Sequence, residues 1–100
     1  MGELSSDLAN LDQDRVEFLR TELKTCFTFA ELARTHYKLS EPAEADNDVA
    51  NAEKGYSVLL HFLSDPKHAE HLATEVKQEL TAGLDRLRET LDRVKSERTS

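Results

Sequence analysis

The chain is 100 residues long, which is room for one domain. Its net charge of −7, from 20 acidic against 13 basic residues, argues against nucleic acid and anionic membrane as partners, because both demand a cationic face. A single cysteine excludes an internal disulfide, and no run of about eighteen apolar residues exists to span a membrane.

Residues 1–9 read as a frayed lead-in, acidic and lacking the basic and apolar regions of a signal peptide. That lead-in and the missing span give the expectation of a cytoplasmic protein. Asn10 and Gln13 stand at the spacing of a capping box, with Asp12 and Asp14 in the first turn, so a helix is expected from about residue 10. Its apolar stripe runs Leu19, Leu23, Cys26, Ala30, Ala33, Tyr37, in steps of three and four that share one face. Val16 and Phe27 flank the stripe on one side; Leu11, Phe18 and Phe29 flank it on the other. An apolar arc that wide touches two neighbours. Cys26 lies on the stripe and reads as a buried structural thiol. His36 near the end of this helix suits its negative pole.

Leu39–Pro42 is a turn signal, with Ser40 as the expected cap of the second helix and Pro42 in its first turn. The second stripe is Ala45, Val49, Ala52, Tyr56, Leu59, Leu63. Its alanine-rich first half would face Ala30 and Ala33 across a close helix–helix approach. Gly55 is a weak spot worth about 1 kcal/mol of helix propensity relative to Ala. Ser64, Asp65 and Pro66 end this helix and start the next, with Ser64 or Asp65 as its cap. The third stripe, Ala69, Val76, Leu80, Gly83, Leu87, Leu91, Val94, with Leu72 or Ala73 completing it, predicts one helix to about Lys95; residues 96–100 fray.

Three long helices joined by short connections predict an all-α, antiparallel up-down-up three-helix bundle over residues 10–95. In that arrangement Arg93, Lys95 and Arg98 would face Glu41, Glu44, Asp46 and Asp48.

No motif carries chemistry. There is no glycine-rich phosphate cradle, and no serine has a base and an orienting partner. The expectation is therefore no enzyme and no cofactor. His68, His71 and Glu75, at i, i+3 and i+7, would share a face of the third helix, with His61 nearby. A metal-binding bundle is accordingly a minor alternative. Aromatic side chains Phe27, Tyr37, Tyr56 and Phe62 read as core, with an apolar groove as the alternative. Leu8, Leu11, Leu32 and Leu60 fit the packed faces least well and are the candidate surface for a partner helix. The main expectation is thus a protein–protein interaction module; a homodimeric structural bundle is the alternative.

Residues 26–59 resemble one tetratricopeptide (TPR) hairpin. Phe29, Leu32 and Ala33 stand where the first helix of that motif has its W-x-x-L-G core. Ala45 and Ala52 stand at its two small positions, with Val49 at the large one between them. His36 occupies the usual tyrosine position and Ser57 the closing proline. The resemblance implies a helical hairpin that binds a peptide or helix of another protein. Three-helix MIT-type domains are similar in architecture.

Overall fold

The computed structural model describes residues 2–98, with side-chain placement described from residue 13 onward. The described chain is all-α: α1 spans Gly2–Lys38, α2 Pro42–Ser64, α3 Pro66–Ala69 and α4 Thr74–Arg98.

The first helix takes in the lead-in as well as the expected span. No proline interrupts residues 2–38, so helical geometry continues through the capping-box spacing at Asn10 and Gln13. Pro42 opens α2 at the position where a missing amide donor costs nothing. The cap before it is Glu41, not Ser40, and it makes no side-chain capping bond. Ser40 instead takes a left-handed conformation at φ 60° that turns the chain back. Asp65 caps α3 by accepting from the Lys67 amide at 3.0 Å.

The expected third helix is two. Glu70–Ala73 interrupts it, leaving α3 as a four-residue turn with no buried residue. Leu72, inside the interruption, enters the core. No glycine or proline marks this break.

Residue pairs fix the directions of the long helices. Cys26 lies against Gly55, and His36 bonds Asp48, so α1 and α2 run in opposite directions. Arg20 pairs with Glu79 and Arg34 with Glu97, so α1 and α4 run the same way. Asp46 pairs with Arg98 and Glu53 with Arg88, so α4 runs opposite to α2. The main core joins Leu19, Cys26 and Ala30 of α1, Ala52 and Leu59 of α2, and Leu80, Leu84, Leu87 and Leu91 of α4. Ala33, Ala45, Val49 and Val94 form a second cluster at the hairpin end, with Tyr37 against it. The alanines face one another as the close approach requires. Leu84, absent from the expected stripe, is buried as well.

At about 1.5 Å per residue, the 37 residues of α1 reach roughly 55 Å, while the 23 of α2 reach roughly 35 Å. The Phe18 ring packs at a tilt against Phe62, two residues before α2 ends, and Arg20 meets Glu79 five residues after α4 begins. The first turns of α1, roughly 20 Å of helix, therefore project past the ends of both partners.

Candidate functional site

Position along α1 decides which apolar side chains keep part of their surface in water: Phe18 and Leu32 do, while Phe29 is half-buried against the main core. Phe18, Thr25, Phe29 and Leu32 follow steps of seven, four and three and share one face. Thr25 and Phe29 line a depression of about 280 Å³ between α1 and α2, with Val58 on its far side and Cys26 and Gly55 at its base. Phe18 is 48% exposed, Leu32 41% and Val58 38%. Phe62 extends the strip, with its ring centroid 6.1 Å from that of Phe18. This apolar strip runs along the side of the α1–α2 pair.

The four leucines singled out by sequence fare differently. Leu32 belongs to the strip. Leu60 is 46% exposed, but two residues from Val58 places it about 200° around α2. It lies roughly ten helical residues, about 15 Å, along the axis from the level of Leu32, so the two do not form one patch. The side chains of Leu8 and Leu11 lie outside the described residues. Phe18, Phe29 and Val58 are the members that sequence reasoning missed. The flanking position of Phe18 and Phe29 was the available signal, but spacing does not say which flank α4 covers.

The hairpin end carries a polar network. His36 Nδ1 donates to Asp48 Oδ2 at 2.6 Å, and Asp48 is the one buried charged residue among those described. His36 stands in the last turn of α1, as expected, and its bond to Asp48 also ties α1 to α2. Asp48→Ala leaves the half-buried imidazole without its acceptor and is expected to cost about 1–3 kcal/mol in denaturant unfolding. A loss below about 0.5 kcal/mol would show that water satisfies His36 equally well.

Tyr37 donates to Asp46 Oδ1 at 2.5 Å, and Arg98 holds the other oxygen of the same carboxylate at 3.0 Å. Burial, then the hydrogen bond and charge of Asp46, push the Tyr37 phenol up to about 12, against the pull of Arg98. Because the folded value lies above the ordinary value of about 10, its contribution to stability is complete below about pH 10. That contribution is lost as pH rises through about 12. Ultraviolet titration of the phenolates should show a late component that Tyr37→Phe removes. A native titration in which both phenols ionise together near the ordinary value of about 10 would refute this.

The expected cationic tail of α4 finds different partners. Arg98 does reach Asp46, but Lys95 pairs with Glu53 Oε1, and Asp48 belongs to His36. Lys95, with Arg88 beside it, holds the Glu53 carboxyl below its usual range. Arg88 also lies over the Tyr56 ring, 5.3 Å from its centroid. Arg93 instead lines a groove between α1 and α4.

Among the described residues, no three His, Cys, Asp or Glu side chains are placed to hold a metal ion. The break at Glu70–Ala73 is the reason: it puts His68 on α3 and Glu75 on α4, so the supposed common face does not exist. His68 lies against the Phe62 ring at 4.4 Å and near Asp65 at 4.0 Å. No described helix is long and apolar enough to cross a membrane. No protein-family model matches the chain, and no curated protein or solved structure matches it.

Proposed function

We propose that this chain is a small, non-enzymatic, cytoplasmic protein–protein interaction module built as an up-down-up three-helix bundle, α3 being a turn appended to the start of α4. The supporting observation is the apolar strip of Phe18, Phe29, Leu32 and Val58 along the α1–α2 pair. Large apolar side chains gathered in one strip mark an interaction surface, whereas singly scattered ones do not. The strip is long and narrow, the shape that receives an amphipathic helix through anchors at i, i+3, i+4 and i+7. The TPR-like hairpin of residues 26–59 fits the same role, because it contributes three of these side chains, Phe29, Leu32 and Val58.

The test is affinity capture by the tagged native chain beside the Leu32→Ser/Val58→Ser variant. A partner retained in equal stoichiometry by the native chain should be lost from the variant, with helicity unchanged by circular dichroism. A partner that binds both chains equally removes the strip from the reading, and a native chain that retains none removes the reading itself.

A further inference from the structure

The opposite side of α1 has a different character. Its groove against α4 is lined along its length by Leu23, Phe27, Ala30 and Val94. Five cations stand around it: Arg20, Lys24, Arg34, Arg86 and Arg93. Arg20 is neutralised by Glu79 and Arg34 by Glu97. Lys24, Arg86 and Arg93 have no ion pair among the described residues, and of the remaining groove residues only Glu31 is acidic. A chain of net charge −7 therefore keeps a cation-rimmed apolar groove on one face.

The complementary feature is in the same chain. Residues 2–14 form the part of α1 that projects past α2 and α4. Their sequence carries Leu4, Leu8 and Leu11 at steps of four and three, together with Glu3, Asp7, Asp12, Asp14 and no cation. Such a segment is acidic, helical and apolar at one spacing. Because it continues α1 as one helix, in a molecule 60 Å along its long axis, it does not fold back onto its own groove.

We infer that the projecting N-terminal segment of one copy docks in the α1–α4 groove of a second copy, giving a reciprocal two-fold dimer. The leucines cover Leu23 and Phe27, and the carboxylates meet Lys24, Arg86 and Arg93. This face is separate from the α1–α2 strip, so dimerisation leaves that strip open.

The experiment is sedimentation equilibrium of the full chain at high micromolar concentration and low salt. The native chain should weigh twice its 11.3 kDa and move toward the single mass as salt rises. Two full-length variants should each be monomeric: Glu3→Lys/Asp7→Lys/Asp12→Lys, and Lys24→Glu/Arg86→Glu/Arg93→Glu. In each, segment and groove carry like charges. Mixed in equal amounts they should restore the double mass, because every segment then finds a groove of opposite charge. A synthetic peptide of residues 1–15 should split the native dimer, a readout that depends on no variant folding. A monomeric native chain overturns the proposal and leaves the groove to an acidic helix of another protein. So does a dimer that survives either variant or the peptide, or a mixture that stays monomeric.

Discussion

Leu87→Ala is expected to lower the stability of this protein by about 2–5 kcal/mol, the cost of deleting a fully buried leucine from a core that collapses only partly around the gap. Leu87 has no exposed surface and sits among Leu19, Leu80, Leu84 and Leu91, with α1, α2 and α4 all contributing to the same cluster. Three helices converge there, so none can move inward without losing contacts with another. A domain of this size has about 5–15 kcal/mol of total stability, so the variant gives up a large part of it. Chemical denaturation measured beside Leu32→Ala isolates the effect. Leu32 keeps 41% of its surface exposed, and its truncation should cost less, about 1 kcal/mol or below. Equal losses in the two variants would mean that the apolar strip is structural and that Leu32 packs where the fold leaves it open.

That contrast also shows what the sequence made legible. The first two stripes name their buried faces almost residue for residue: Leu19, Cys26, Ala30 and Ala33 on α1, Ala45, Val49, Ala52 and Leu59 on α2. Steps of three and four within an uninterrupted helix determine one face, and local spacing is enough to find it. The start of α1 and the break before α4 were not legible in the same way. No proline interrupts residues 2–9, so the capping signal at Asn10 marked no boundary. At Glu70–Ala73 the chain breaks without a glycine or proline, and Leu72 goes into the core from a non-helical stretch. Tertiary packing sets that break, and periodicity does not carry it. The candidate surface suffered for a related reason. Phe18 and Phe29 were seen to flank the stripe, but which flank is covered depends on where α4 lies, and that follows from the whole bundle. The acidic start of α2 posed the same problem: Asp48 is buried against His36, twelve positions away on another helix, so its partner is not a property of its neighbourhood.

The contact between Cys26 and Gly55 makes the second large prediction. A methyl group added at Gly55 would overlap Cys26 Sγ across the α1–α2 interface. Cys26 is buried and its side chain is short, so relief requires a rotamer change or a separation of the helices. Gly55→Ala is therefore expected to cost about 1–3 kcal/mol, although alanine is the better helix former by about 1 kcal/mol. At Gly83 a methyl group would meet Leu23 Cδ2, the free end of a longer, half-buried side chain that turns aside. Gly83→Ala should accordingly be neutral or stabilising by up to about 1 kcal/mol. In a Cys26→Ala background the obstruction is gone, so the cost of Gly55→Ala should shrink or reverse, with a coupling of about 0.5–3 kcal/mol between the two sites. Equilibrium denaturation of the four chains of that cycle gives the coupling directly, and additive effects would show that the glycine is tolerated rather than required. The same contact sets the spacing of α1 and α2, and with it the width of the depression between Phe29 and Val58. A chain that pays for Gly55→Ala by moving the helices apart should therefore also weaken partner capture, while the Cys26→Ala/Gly55→Ala chain keeps it.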